Sequence, residues 1–250
     1  MSGVLIIKPL AVVLAPSLPG SGQANLLTAD PNEAWIAPST AAVTMDIDMG
    51  ASVSIDSFYL GYTNAAASAT WAIARATGLG TGLTSIRAAA PMRSADSEGP
   101  RHHCFARLPA PISSRYFRLT LTQAGTAPLY AGALVLGRAF EKHREYGAGR
   151  TPIDTSTRED LPGGGFAISE GVVKSQFAFS FVDLTEAETG QLWAIKKDRG
   201  VTRPVLVVED VDLSSGLNDA IHYGVFERFQ AYERLDPAAT RWAGSVLDWA

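Results

Sequence analysis

VTMDIDM (residues 43–49) decides the fold class, because its apolar and polar residues strictly alternate. Val43, Met45, Ile47 and Met49 share one side, while Thr44, Asp46 and Asp48 share the other. A period of two is that of a strand with one face in a core and one in solvent. Downstream, residues 53–62 add a run rich in β-branched and aromatic residues, and WAIAR (71–75) sets Trp71 and Ile73 opposite Ala72 and Ala74. RYFRLTLT (115–122) alternates again, with Phe117, Leu119 and Leu121 on the inward side. Residues 129–136 supply one more apolar run before Gly137. Short strands separated by Gly, Pro, Ser and Ala turns predict a β-sandwich.

The pattern breaks at residues 141–171, a polar stretch that contains Pro162-Gly163-Gly164-Gly165. Such a segment reads as a linker or an extended arm. Its charges largely alternate in sign (Glu141, Lys142, Arg144, Glu145, then Arg158, Glu159, Asp160), which favours specific docking over repulsion. The arm is expected to lie across a neighbouring subunit, with a mobile tether as the alternative. Arg150 and Arg158 are the expected assembly residues of this arm.

Beyond it, FAFSFVDLTEAETGQLWAIKKDRG (177–200) reads as a strand running into a capped helix. Phe177, Phe179 and Phe181 share a face with Val173, and Thr185 with Glu188 fits a capping box. Glu186 and Glu188 suit the positive start of the helix, Lys196, Lys197 and Arg199 suit its end, and Gly200 supplies the stop. The three phenylalanines are expected to pack against Trp193 and Ile195. Residues 204–209, 223–234 and 241–249 follow as strands, giving the order β-α-β-β-β. The fold class expected is therefore mainly β, an N-terminal β-sandwich followed by a C-terminal α+β domain with a short helix on an antiparallel sheet.

Composition narrows the function classes. Of the 250 residues 46% are hydrophobic, the net charge is −4, and the mean hydropathy is +0.07. These values suit a packed globular core. No basic stripe is present to suit a nucleic acid, and no run of about 18 apolar residues to insert in a membrane. Cys104 is the single cysteine, so no intrachain disulfide can form. Residues 10–14 resemble the apolar part of a signal peptide. Lys8 and Pro9 interrupt the wider apolar run of residues 4–14, however, and no basic residue precedes Val4.

Chemistry-bearing residues are sparse. His102-His103-Cys104 offers ligand types, but adjacent strand residues point to opposite faces and no CxxC or HxxxH partner exists. Gly78-Leu79-Gly80-Thr81-Gly82 lacks the βαβ context of a nucleotide loop and reads as a turn. Asp46 and Asp48 lack the glycine and distal glutamate of a calcium loop. No GxSxG, HExxH or Walker lysine occurs, so no catalytic, cofactor or metal residue is assigned and no enzyme is expected. Carboxylate pairs that meet only in the fold stay open. Aromatics are the better candidates for ligand contact, since exposed rings stack on sugars. Trp35, Tyr59 and Tyr62 are named for that role, with Trp71 read as core.

Residues 25–64, the WAIARA strand, RYFRLTLTQAG and LYAGALVLGR resemble the galactose-binding-like, or discoidin-type, jelly roll. Asp48-Met49-Gly50 stands where that pattern has its DLG, and the likeness covers about residues 24–140. The resemblance implies a module that binds glycans through variable loops. The cysteine pair that often pins extracellular members is missing here. From Arg199-Gly200 through Pro204-Val207, Tyr223-Gly224-Val225-Phe226 and Trp242 to Trp249, the chain is similar to C-terminal parts of tail proteins of long-tailed bacteriophages and prophages. This implies a structural component of a virion tail tip at or near the distal-tail ring. It would be made in the bacterial cytoplasm and assembled as a ring-forming homo-oligomer with other tail proteins. Host glycan would be a further partner, and Trp249 an assembly residue. The domains expected are an N-terminal segment (1–23), the galactose-binding-like sandwich (24–140), the arm (141–171) and a tail-assembly domain (172–250). The alternative is a free carbohydrate-binding protein or adhesin with no role in a virion.

Overall fold

The computed structural model describes residues 3–15, 17–38, 42–123, 127–213, 216–234 and 239–249. It divides into two compact units, residues 1–141 with 208–221, and residues 142–207 with 222–250. Residues 208–221, expected with the C-terminal domain, thus pack with the first unit.

The first unit is built on two very long strands, Ala42–Thr63 and His102–Thr122, paired antiparallel. Their register slips between Asp48 and Val53, between Ile55 and Ser57, and between Leu60 and Thr63. Slips of this kind bend a strand and raise its twist, so the two halves can serve different layers. The first half, residues 42–48, pairs with residues 116–122, and these in turn pair with Thr70–Ala76. The second half, residues 57–61, pairs with Ala133–Gly137. Val13–Leu14 and Thr84–Pro91 lie at the outer ends of the sheet.

The alternation of VTMDIDM holds. Val43, Met45, Ile47 and Met49 are buried with Trp71, Ile73, Phe117, Leu119 and Leu121, and Phe58, Leu60, Leu134 and Leu136 complete the same core. Phe58 meets Phe117 edge to face at 5.5 Å, joining side chains from the two halves. The result is a β-sandwich. At the bend, Gly50 takes φ +76°, a left-handed conformation that favours glycine. Asp48 Oδ1 accepts its N–H at 2.7 Å.

In the second unit an antiparallel sheet sets Thr240–Asp248 between Ile221–Phe229 and Val173–Leu184, with Gly149–Asp154 at the edge and Val205–Val208 beside Ile221–Phe229. Phe177, Phe179 and Phe181 are buried, and opposite them on Thr240–Asp248 stand Val246, Gly244 and Trp242. The helix Glu186–Arg199 starts on the capping box read from the sequence. Thr185 Oγ1 accepts from the Glu188 N–H at 3.2 Å, and the Glu188 carboxylate accepts from the Thr185 N–H at 2.8 Å. Lys142 Nζ adds an ion pair to Glu188 at 2.9 Å.

The packing of that helix corrects an expectation. Leu192 is its buried residue and lines a small gap with Phe179, Phe226, Trp242 and Gly244. Trp193 is 49% exposed and Ile195 half-buried. Residues 193 and 195 lie roughly 200° apart around a helix of 3.6 residues per turn, so both cannot face one sheet. Leu192 and Ile195, three apart, can.

The segment expected as a pattern-free arm is also regular. Gly149–Asp154 pairs with the start of Val173–Leu184, from Gly149↔Ala178 to Asp154↔Val173. Thr157–Asp160 pairs with Phe166–Ser169, from Thr157↔Ser169 to Asp160↔Phe166. Thr155 and Val172 hydrogen-bond across the slip between the two ladders, at 3.1 Å backbone to backbone. Together they make one long hairpin that turns at residues 161–165. Every residue of Thr157–Asp160 and Phe166–Ser169 is exposed, so neither face of the tip imposes a burial alternation on the sequence. A hairpin of that kind reads as a linker.

Candidate functional site

The residues named for ligand contact are placed inside. Trp35 is 0% exposed, and its Nε1 donates to the Pro19 carbonyl at 3.0 Å. Gly20, at φ +104°, passes so close that a Cβ there would collide with the Ile36 carbonyl. Tyr59 is fully buried with its hydroxyl 2.8 Å from His103 Nδ1, and Tyr62 is buried with its ring edge-on to His103 at 5.0 Å. None of the three offers a ring face to solvent. The expectation is corrected for all three, since their rings serve the core and its polar seams.

The His102-His103-Cys104 run alternates as a strand should, and its groups have separate partners. His102 Nδ1 lies 2.7 Å from Ser97 Oγ, and burial, with the nearby Arg93 charge, pushes its pKa down. The Cys104 Sγ lies 3.5 Å from Thr63 Oγ1, and burial pushes the thiol up to about 12. A thiol that high is protonated at neutral pH and is a poor nucleophile. In the second unit His222 Nδ1 lies 3.0 Å from Asp248 Oδ1, stacked on Phe177 at 5.1 Å.

Asp46 and Asp48 each hold a guanidinium by two bonds, Arg118 at 2.6 and 2.7 Å and Arg115 at 2.8 and 2.8 Å. The hydrogen bonds from Arg115 hold the Asp48 carboxyl below the usual range. Among the described residues no group of three or more His, Cys, Asp or Glu side chains could hold a metal ion. The glycine run forms a turn, bridged between Gly78 and Thr81. No helix among the described residues is long and apolar enough to cross a membrane.

The residues named for assembly lie in the second unit. Arg150 stands opposite Phe177 on the hairpin stem. Arg158 lies near the hairpin tip with its guanidinium 4.3 Å from the centre of the Phe166 ring. Opposed residues of an antiparallel pair share a face, so Arg158 and Ile168 lie together, next to Asp160 and Phe166. Phe166 is 54% and Ile168 66% exposed, with Leu161, Val172 and Val173 also exposed nearby. Trp249 is half-buried and bound through its backbone. Its N–H donates to the Tyr223 carbonyl at 3.0 Å, and its own carbonyl accepts from Lys174 Nζ at 2.6 Å.

A second feature of this unit has no counterpart in the sequence reading. Glu186, Thr189, Gly190 and Trp193 on the first turns of the helix face Tyr232, Arg234 and Thr240 across a cleft of about 240 Å³. The Trp193 and Tyr232 rings stand nearly perpendicular (84°) at 6.3 Å, and Trp242 closes the cluster at 6.2 Å from Trp193 and 5.8 Å from Tyr232. Lys196 Nζ lies 5.9 Å from the Trp193 ring centre, and partial burial lowers its pKa. Among the described residues neither Glu186 nor Arg234 has an ion-pair or hydrogen-bond partner for its charged group. Tyr232 and Arg234 lie far along the chain from the helix, and no motif spacing links them to it.

No family model matches the sequence, and no curated protein matches it. The chain is similar to solved carbohydrate-binding modules. A module designated CpGH89CBM32-6, produced by Clostridium perfringens, is 13% identical with a TM-score of 0.39, over 52% of this chain and 94% of that one. CBM32-1 of a family 31 glycoside hydrolase from Clostridium perfringens is 12% identical with a TM-score of 0.40, over 52% and 96%. Chitosan-binding module 1 of a chitosanase/glucanase from Paenibacillus sp. IK-5 is 13% identical with a TM-score of 0.38, over 52% and 95%. Likeness at this level says nothing about what this chain binds, and no virion protein is among the three.

Proposed function

We propose that the chain is a structural subunit without catalytic machinery, of the kind that builds the tail tip of a tailed bacteriophage. In this reading it is made in the bacterial cytoplasm and ends in the virion tail, in a ring of identical copies that also touches other tail proteins. Residues 199–249 carry the likeness to tail proteins. The observation that supports assembly is the hairpin. A two-stranded ribbon is marginally stable alone in water, and this one leaves Phe166, Ile168, Leu161, Val172 and Val173 exposed. Arg158 and Asp160 share one face with Phe166 and Ile168, so the tip presents both charge signs beside two exposed apolar side chains. That combination suits docking on a neighbouring copy, and a head-to-tail contact of this kind builds a ring when its rotation closes on itself.

Negative-stain imaging and light scattering test the reading on the intact chain and on a variant in which residues 156–170 are replaced by a short turn. Rings from the intact chain and folded monomers from the variant are expected. A monomeric intact chain at all concentrations, or rings that survive the replacement, would overturn it. The rival reading, a glycan-binding protein with no virion role, is favoured by one observation only, the aromatic cleft of the second unit.

A further inference from the structure

We propose that the cleft between Trp193 and Tyr232 is a binding subsite for one neutral pyranose unit. The inference does not rest on the assembly reading, since the cleft and the hairpin tip are different surfaces of the second unit.

Its size comes first. At about 240 Å³ the cleft is smaller than the ~300–1,000 Å³ of ordinary small-molecule pockets, so it suits a single sugar ring better than an extended cofactor. Its walls come second. Trp193 is 49% and Tyr232 43% exposed, although both contact the buried Trp242 and could have closed over it. Large aromatic rings left open at right angles form a corner, and a pyranose has one flat C–H face to lay on a ring and an edge for the second wall. Aromatic side chains bring this amphipathic surface with little rotamer freedom to lose.

Polar lining is the third point. A sugar hydroxyl both donates and accepts, a carboxylate only accepts, and a guanidinium only donates. Glu186 and Arg234 line the same cleft without bridging each other, and Thr189 and Thr240 add hydroxyls. A neutral polyol can satisfy both charged groups at once, through one hydroxyl that donates to Glu186 and another that accepts from Arg234. A purely apolar occupant would cover two unpaired charges, which costs heavily. An anionic or cationic ligand would meet one like charge.

The five tryptophan indole N–H signals of the ¹⁵N-labelled intact chain give a direct readout. Methyl glycosides of glucose, galactose, mannose and N-acetylglucosamine are titrated one at a time. Saturable movement of the Trp193 signal with at least one of them is expected, while the signals of buried Trp35 and Trp71 stay in place. Trp193→Ala should weaken that binding at least tenfold, whereas Trp193→Phe, which keeps a stacking face, should bind within about threefold of the parent chain. Glu186→Gln and Arg234→Ala, both at exposed positions, should each weaken it several-fold without changing the folded spectrum. Failure of all four glycosides to move the Trp193 signal would overturn the proposal. So would equal binding by Trp193→Ala. If instead Trp193→Ala breaks up an oligomer while no glycoside binds, the cleft seats a protein side chain and the sugar assignment is refuted.

Discussion

Leu192→Ala is the sharpest perturbation of the second unit, because Leu192 is the side chain by which the helix is buried. It is 4% exposed and lies against Phe179, Phe226 and Trp242, over the space left by Gly244. Truncation removes about three methylene equivalents, or ~2.4 kcal/mol at ~0.8 kcal/mol each. The unfilled gap adds to this, since a rigid sheet of aromatic rings cannot collapse into it. Measured Leu→Ala losses of ~3–5 kcal/mol include that cavity term, and about 3 kcal/mol is expected here. The control is Trp193→Ala one residue on. Its ring is half exposed, so the loss should stay near ~1 kcal/mol or below.

The assay is urea unfolding followed by hydrogen exchange at amides of residues 186–199, which isolates this unit from the sandwich when the two melt separately. The order Leu192 well above Trp193 is the content of the claim. Equal losses, or a Leu192 loss below about 1 kcal/mol, would show that the helix docks through another face.

Further outcomes follow from the polar groups. Native Cys104 should resist iodoacetamide at pH about 8 and react once urea unfolds the chain, because burial holds the thiol at about 12; native alkylation at the unfolded rate would contradict its burial. Burial pushes the Glu188 carboxyl up, but hydrogen bonds from Lys142 and Thr185 outweigh it and leave the pKa below its usual 4.5. A depressed carboxylate stabilises the fold above its unfolded pKa and loses that contribution as pH falls through the folded value. The urea midpoint of the second unit should therefore drop on acidification below about pH 4.5, and Glu188→Gln should flatten that drop; an unchanged slope in the variant would assign the acid sensitivity elsewhere.

Where one face of a segment is buried, the sequence is legible. VTMDIDM and RYFRLTLT alternate because one side of each meets the sandwich core, and the capping box announces the helix because its partners are three residues apart. Features set by tertiary placement are not legible. The tip of the hairpin is exposed on both faces, so polarity hides a regular ladder. Trp35 reads as a loop aromatic, but Pro19 and Gly20 fold over it from 15 or 16 residues upstream. Trp193 draws the eye from its smaller neighbour Leu192, since size is visible in a sequence and helical phase against a sheet is not. The cleft joins Glu186 and Trp193 to Tyr232 and Arg234, and no local spacing foretells that meeting.

The pairing of Ala42–Thr63 with His102–Thr122 also sets a clock for the nascent chain. Once Thr63 has been synthesised, 59 more residues (122 − 63) must follow before its partner strand is complete. At about 5–20 residues per second this takes about 3–12 s. During that interval a 22-residue strand, of which Val13–Leu14 can already pair only Ile47 and Asp48, leaves most of its hydrogen-bonding groups open and waits for Ala42 to find Thr122. Non-local pairing of this kind folds slowly, and an unpaired edge can be taken by another chain. Residues 64–101 account for 38 (101 − 63) of those 59 and so for most of the wait. Their length adds little to the cost of closure, however, which grows only with the logarithm of loop length. Slower synthesis prolongs the exposure of each chain. Crowded synthesis raises the chance that the first partner to arrive is the wrong molecule.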